Sequence, residues 1–482
     1  MSKRKNQLVA LFNSLKDDDI QNCRKLIVSP IYLSERKSEQ LLPFYRILSQ
    51  AQKKGNPILE DETLFNELSK ELKISDKEFS YLKSDLILLI EEFLVLKEFR
   101  QDPFQKSIYL LKSFRKNNIE IGFESTYNDI LKKSDKQSLR NEEYFFALSK
   151  INDEFYRNHI LTNRTVPDQV ELANHQFKLY SLAQNLRTLC RITSNAEVVK
   201  VEQNENYVDQ DKHTLYLAQN IKDNDDDAPA IILLYLACYK MLQTQTTAAY
   251  HYFENLIIIH QDVLSGVELC DLLMLLTNFC SKKVNKGERD FLQNSFEWFV
   301  FGLDKKVFEE EGIFSTFLFK QIVTTAVGLC KYDWAEQFIE RYSCKLNTNQ
   351  QDNFKCYTLA IVYFNQGKND TVFYEKAIVL LAKVDLDDIF HLSDVRRMLM
   401  RCYYELQEWN ALESLIESFK KYLSRHKHEP TYQYENYKNF IYFVEKLMSI
   451  PKNDTQKRIV VQQKLAKTTQ VAERIWLESK LF

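Results

Sequence analysis

Residues 320–342, KQIVTTAVGLCKYDWAEQFIERY, decide the fold predicted for this chain. Apolar residues recur every three or four positions on both sides of a polar segment of three or four residues, which is typical of two amphipathic helices joined by a turn. Ala326 and Gly328 are small and allow the second helix to approach the first closely, and Trp334 lies where an aromatic ring can close the turn. The stretch therefore predicts a helical hairpin.

Two later stretches repeat this arrangement. Residues 357–381 are YTLAIVYFNQGKNDTVFYEKAIVLL, and residues 396–419 are RRMLMRCYYELQEWNALESLIESF. Trp334 and Trp409 lie 75 positions apart, which corresponds to two repeats of about 37 residues. A looser match occurs at residues 235–256. Because a single hairpin can bury its apolar stripe only against its neighbours, the repetition predicts a stacked array.

Glycine and proline are scarce, with eight of each in 482 residues, far below the average usage of roughly 7% and 5%. Sheet-rich and dinucleotide-binding folds need glycine for tight turns and for close approach of the backbone to phosphates. Apolar residues make up 45% of the chain, which is enough for a packed core. Composition and repeats together predict an all-α fold, an α-solenoid of antiparallel helical hairpins with a helical N-terminal cap domain.

Three segments are predicted along the chain. They are a helical N-terminal domain at residues 1–118, the hairpin solenoid at residues 119–450, and a C-terminal capping helix at residues 451–482. Terminal units of a repeat array need such a cap because one face of the last hairpin would otherwise stay exposed. Trp476 and Leu477 supply apolar surface for this role.

The hairpins at about residues 315–450 resemble tetratricopeptide repeats (TPR), whose small and aromatic residues occupy similar positions at a period of about 34. Gly367 stands where the turn glycine of that family is expected, whereas the proline that ends each unit of the family is missing here. The resemblance implies a concave surface that binds a protein or peptide segment. Tyr332, Tyr363 and Tyr403 are the predicted partner-binding residues on this TPR-like surface.

The N-terminal region is similar to a family of uncharacterised bacterial all-helical proteins. The shared pattern is a break at SPIY, residues 29–32, followed by helices that end in SDLILLIEEFL, residues 84–94. This resemblance implies helical structure and carries no assigned function.

The charges of the chain balance, with 65 Lys and Arg against 67 Asp and Glu. No global field therefore favours nucleic acid or an anionic membrane surface. The longest apolar run, residues 228–239, is shorter than the roughly 20 residues of a spanning helix, and the basic N-terminus lacks the apolar region of a signal peptide. Nine cysteines form no CxxC pair and are predicted to be small buried side chains in a reducing compartment. A cytoplasmic protein is expected.

No motif for catalysis, cofactor binding or metal binding is recognised in the sequence. HExxH, GxGxxG, GxSxG and the P-loop are absent, and the eight histidines are scattered without ligand spacing. We therefore expect no enzymatic activity, no catalytic or metal site and no cofactor. The predicted function is a non-catalytic scaffold or adaptor for protein–protein interaction, with its oligomeric state left open.

An alternative is a transcriptional regulator that uses residues 61–100 as a helix-turn-helix and the hairpins as a sensor. Apolar spacing there fits two helices, and Ser75 is predicted to cap the second. Against this alternative, Lys73 replaces the usual turn glycine, and the segment holds ten acidic and six basic residues. Phosphate contacts need a basic face, so nucleic acid is the less favoured partner.

Overall fold

The computed structural model describes residues 7–53, 61–136, 139–161, 163–195, 205–224, 229–310, 312–346, 351–384, 389–425, 433–451 and 454–481. These ranges form 23 α-helices and one small antiparallel hairpin, in which strand β1 (Glu309–Glu310) pairs with strand β2 (Ile313–Phe314). The predicted all-α class is confirmed, since each strand has only two residues.

Nine helices occupy the described residues before position 196. They are α1 (Gln7–Ser14), α2 (Asp17–Ile27), α3 (Glu35–Lys53), α4 (Asp61–Glu71), α5 (Asp76–Gln101), α6 (Pro103–Lys116), α7 (Glu120–Asp135), α8 (Glu142–His159) and α9 (Gln169–Asn195).

Fourteen helices follow in the described residues from position 205 onward. They are α10 (Glu205–Asn224), α11 (Ala230–Thr244), α12 (Thr247–His260), α13 (Gly266–Asn285), α14 (Asp290–Asp304), α15 (Thr316–Gly328), α16 (Tyr332–Tyr342), α17 (Gln351–Gln366), α18 (Val372–Leu381), α19 (Ile389–Glu405), α20 (Trp409–Arg425), α21 (Gln433–Ser449), α22 (Thr455–Lys467) and α23 (Arg474–Leu481).

The chain divides into two compact units, Met1–Ser181 and Leu182–Phe482. The division falls inside α9. The domain boundaries predicted from the sequence, at residues 118 and 450, fall inside these two units and stay predictions.

Helix α5 contributes much of the core of the first unit. Its start is fixed by a reciprocal capping box, in which the Ser75 hydroxyl accepts from the Glu78 backbone N–H and the Glu78 carboxylate accepts from the Ser75 backbone N–H. The predicted cap at Ser75 is confirmed. The helix packs against α1, α2 and α3, because its apolar stripe is wider than one neighbour can cover. The buried side chains of α5 are Phe79, Leu82, Leu86, Leu89, Ile90 and Phe93.

Residues 61–100, the predicted helix-turn-helix, form α4 and most of α5. Two of the cations on α5 are held in ion pairs within the first unit: Lys83 Nζ lies 2.6 Å from Asp61 Oδ1, and Lys97 Nζ lies 3.0 Å from Asp19 Oδ2. The regulator alternative stays a prediction.

The three repeated stretches form hairpins, as predicted. They correspond to α15 with α16, α17 with α18, and α19 with α20, and the helices of each pair pack against each other. The connecting turns are residues 329–331, 367–371 and 406–408, so the middle turn is longer than predicted. In addition, α15 packs against α17, and α17 against α19. The first helices of successive hairpins therefore lie side by side.

Gly367 permits a close contact within the middle hairpin. A β-carbon at this position would lie 2.5 Å from Cδ1 of Tyr374, and the Tyr374 side chain is buried. The absence of a side chain at Gly367 therefore lets the Tyr374 ring pack directly against the end of α17.

The C-terminal segment forms two helices, α22 and α23, where a single capping helix was predicted. The Arg474 guanidinium donates hydrogen bonds to the carbonyl oxygens of Leu465, at 2.8 Å, and of Thr468. These bonds cap the end of α22, where the Thr468 backbone N–H also donates to the Leu465 carbonyl. Trp476 and Leu477 of α23 are buried in one apolar cluster with residues of α19, α20 and α21.

Candidate functional site

A buried ionic network is built on helix α19 in the second unit. Asp394 accepts hydrogen bonds of 2.6 Å from Tyr357 Oη and from Arg397 Nη2, and Lys320 Nζ lies 3.3 Å from Asp394 Oδ2. Burial by itself would raise the pKa of Asp394, but the positive charges of Arg397 and Lys320 hold this pKa well below its usual value. Asp394 is therefore ionised and orients Arg397.

Arg397 and Arg401, about one helical turn apart on α19, share the carboxylate of Glu473. Arg397 Nη1 donates to Glu473 Oε1, and Arg401 Nη1 donates to Glu473 Oε2 at 2.9 Å. Glu473 directly precedes α23 and has φ +55°, a conformation that is uncommon for residues other than glycine. The two arginines thus tie the start of α23 to α19.

A second carboxylate of α19 binds the same C-terminal helix. Glu405 accepts a hydrogen bond of 2.5 Å from the indole Nε1 of Trp476 and one of 2.7 Å from Lys480 Nζ. Both carboxylates, Glu405 and Glu473, are therefore already engaged by N–H groups of this chain.

A cavity of about 950 Å³ lies between α19, α23 and the turn that connects α17 to α18. Among the described residues that line it, the acidic ones are the two engaged carboxylates, Glu405 and Glu473. Five cations against two carboxylates give the cavity a positive potential, which attracts an anion. The cationic lining residues are Arg289, Lys368, Arg401, Arg474 and Lys480.

Arg401 is the buried cation of this cavity, with only 6% of the residue exposed. Its Nη1 is bonded to Glu473, and its Nη2 donates to Tyr374 Oη at 3.4 Å. Its Nε–H is buried and has no hydrogen-bond partner among the described residues. An unsatisfied buried donor costs about 1–3 kcal/mol, and this N–H has almost no surface open to a ligand in the cavity.

The starts of several helices border the same cavity. Thr371 is the N-cap residue of α18, Arg289 is the N-cap residue of α14, and residues 473–476 include the first turn of α23. The N–H groups of a first helical turn have no acceptor inside the helix, and the helix dipole places partial positive charge there. At α18 the Asp370 carboxylate already accepts from the Val372 N–H at 3.1 Å, so the start of α23 is the one that adds to the positive potential of the cationic side chains.

Lys368 and Arg289 are the exposed cations of the cavity, and neither forms an ion pair within the described ranges. The pKa of Lys368 is lowered, first because surrounding atoms displace water from its ammonium group and second because Arg401 repels its charge. A bound anion would offset this repulsion.

The three predicted partner-binding tyrosines lie outside this cavity. Tyr332 begins α16, and burial raises its pKa to about 12. The Tyr363 ring on α17 lies 5.9 Å from that of Phe373, with Lys376 Nζ 5.7 Å from the Tyr363 ring centre. Tyr403 is half-buried on α19. No hydrogen bond or ring contact joins any two of these tyrosines in the described structure, and their role stays a prediction.

The chain matches no protein-family model and has no match among curated proteins. In the ranges that the structure covers, no group of three or more His, Cys, Asp or Glu residues is placed to hold a metal ion. None of the described helices combines the length and the apolar character needed to cross a bilayer. The expectations of no catalysis and no cofactor stay predictions.

One signal in the sequence points to the cavity. Arg397 and Arg401 are spaced four residues apart, within a stretch whose apolar residues predict burial. Buried arginines need partners, but the carboxylate that these two arginines share comes from residue 473, more than 70 positions away. Arg289 and Lys368 carry no comparable signal, because exposed cations are common on helix and turn surfaces.

Proposed function

We propose that this chain is a non-catalytic protein–protein interaction scaffold or adaptor. Its hairpins would form an α-solenoid of TPR-like units that holds a segment of a cytoplasmic partner protein or peptide. The electropositive cavity between α19 and α23 would anchor acidic residues of that segment.

The observation that carries the proposal is the excess of positive charge in this cavity, where the exposed cations Arg289 and Lys368 form no ion pair within the described residues. The carboxylates that line this cavity are already bound by N–H groups of the chain. An acidic side chain from outside would pair with Arg289 and Lys368 and reduce the repulsion between Arg401 and Lys368. Because hydrogen bonds to charged groups are worth more than neutral ones, such a contact would contribute both affinity and selectivity for acidic segments.

The test compares two double variants of the full chain. R289Q/K368Q removes the two exposed cations of the cavity, and K421Q/R425Q removes two exposed cations of α20 that do not line it. A fluorescein-labelled peptide of alternating Glu and Ala is titrated into each protein at fixed ionic strength, with a Gln-for-Glu peptide as the neutral control.

We expect the wild type and K421Q/R425Q to bind the acidic peptide equally, and R289Q/K368Q to bind it roughly tenfold more weakly or worse. The neutral peptide should not bind any of the three proteins. Equal binding by both double variants, or no binding of the acidic peptide by the wild type, would contradict the proposal.

A further inference from the structure

We propose that the cavity between α19 and α23 binds a phosphoryl group, carried by the protein segment that docks there. This inference rests on the proposed function and names the chemistry of the group that is recognised.

The first argument is the amount of charge left unpaired. Glu473 already accepts hydrogen bonds from Arg397 and from Nη1 of Arg401. Glu405 already accepts one from Lys480. Arg289 and Lys368 remain, and neither forms an ion pair within the described residues. A single carboxylate brings one negative charge, whereas a phosphoryl group on a side chain carries about −1.5 to −2 at neutral pH. The dianion therefore matches the remaining cations better.

The second argument is the set of hydrogen-bond donors. A phosphoryl group offers three acceptor oxygens, and the cavity offers the exposed guanidinium of Arg289, the exposed ammonium group of Lys368 and the hydroxyl of Tyr374. Burial raises the pKa of Tyr374, so its hydroxyl keeps its proton. Because Tyr374 Oη accepts from Arg401, its own O–H remains able to donate. The first turn of α23 borders the cavity and adds to the preference for an anion.

The third argument concerns the carrier of the group. A cavity of about 950 Å³ is at the upper end of the range for ligand pockets, about 300–1,000 Å³, and is far larger than one phosphoryl group requires. Ile475 lines this cavity and is 74% exposed. It offers apolar surface beside the cations, which a side chain neighbouring a phosphorylated residue would cover. A peptide segment therefore fits the site better than a free phosphate ion.

The experiment uses four probes and three forms of the full-length protein. The probes are the peptide Ala-Leu-phosphoSer-Leu-Ala with blocked ends, the same peptide with Glu or with Ser at the centre, and inorganic phosphate. The proteins are the wild type, R289Q/K368Q and K421Q/R425Q, with circular dichroism confirming that the helical content of each variant equals that of the wild type. Dissociation constants are measured by isothermal titration calorimetry at pH 7.5 and fixed ionic strength.

We expect the phosphoserine peptide to bind the wild type at least tenfold more tightly than the Glu peptide, and the Ser peptide not to bind. R289Q/K368Q should weaken phosphopeptide binding roughly ten- to hundredfold, while K421Q/R425Q should leave it unchanged.

Three results would overturn the inference in different ways. If the Glu peptide binds as tightly as the phosphopeptide, the cavity does not select a phosphoryl group. The proposed function, binding of acidic segments, would then still hold. If inorganic phosphate binds as tightly as the phosphopeptide, the claim that a protein segment carries the phosphoryl group fails. If neither the phosphoserine peptide nor the Glu peptide binds, both the phosphoryl assignment and the proposed function fail.

Discussion

Arg401 and Glu473 lie 72 positions apart in the sequence, and they are joined by a hydrogen bond of 2.9 Å from Nη1 of the arginine to Oε2 of the glutamate. The same carboxylate also accepts from Arg397. This contact makes the residues before α23 one wall of the cavity. It also fixes the Arg401 guanidinium, whose Nε–H is buried and has no hydrogen-bond partner among the described residues.

Glu473→Gln should destabilise the second unit. The side chains of Arg397, Arg401 and Glu473 are only 17%, 7% and 16% exposed, so the variant leaves two poorly hydrated guanidinium groups without their shared carboxylate. We expect the free energy of unfolding, measured with urea, to fall by about 3 kcal/mol. The control is Glu417→Gln, which breaks the exposed ion pair with Lys420 and should cost less than about 1 kcal/mol. Equal effects of the two substitutions would contradict the structural role of Glu473.

Asp394 should make the stability depend on pH. Its pKa is lower in the folded protein than in the unfolded chain, so its contribution is fully present above the ordinary value near 3.8 and is lost as the pH falls below that value. Asp394→Asn should therefore lower the free energy of unfolding at pH 7 by about 3 kcal/mol, and this difference from the wild type should shrink between pH 4 and pH 2.

Urea unfolding at pH 7, 5, 4 and 3 checks this prediction. The exposed Glu413→Gln variant serves as the control, with an expected change within about 0.5 kcal/mol at pH 7. A difference between Asp394→Asn and the wild type that stays constant from pH 7 to pH 3 would count against an ionised Asp394.

Gly367→Ala should destabilise the middle hairpin. The added methyl group would lie 2.5 Å from Cδ1 of the buried Tyr374 ring, and overpacking of this kind costs about 1–3 kcal/mol. Gly266→Ala is the matched control, because a β-carbon there meets no atom within 4 Å and the position begins α13. The control should be neutral or stabilising by up to about 1 kcal/mol. Thermal unfolding distinguishes the two, and a neutral Gly367→Ala would show that Tyr374 can move.

The cysteines should differ in reactivity. Cys330 and Cys344 are exposed, whereas burial raises the pKa of Cys23 to about 11 and the pKa values of Cys280 and Cys402 to about 12. The thiolate is the reactive form of cysteine. At pH 8, iodoacetamide should therefore label the three buried cysteines at least roughly 100-fold more slowly than Cys330 and Cys344. Peptide mapping by mass spectrometry measures the rates. Rapid native labelling of Cys402 would contradict the burial of α19.

The burial predicted for the cysteines is thus confirmed for five of them: Cys23, Cys190, Cys238, Cys280 and Cys402. It is wrong for Cys330 and Cys344. Both follow helix ends, Cys330 in the turn after α15 and Cys344 in a short 3-10 turn after α16. Apolar neighbours in the sequence predict burial only while the helix continues, because a turn brings its side chains to the surface.

Helices and hairpins were predictable because their signals are local. The spacing of apolar residues in 320–342, the cap at Ser75 and the scarcity of glycine each act over a few residues. The prediction of a single capping helix for the C-terminal segment was wrong because a side-chain contact, which residue spacing does not show, ends the first helix. The Arg474 side chain ends α22 by folding back on Leu465 and Thr468, and apolar spacing carries no information on such a contact.

The sequence by itself determined that the chain is helical, that Ser75 caps a helix, and that its C-terminal half contains repeated hairpins, since these properties follow from residue spacing, capping and composition. Only the tertiary structure decided which charges meet. Charge–charge contacts depend on distance in space, and the fold brings Arg289, Lys368, Arg401 and Glu473 around one cavity although up to 184 residues separate them in the chain.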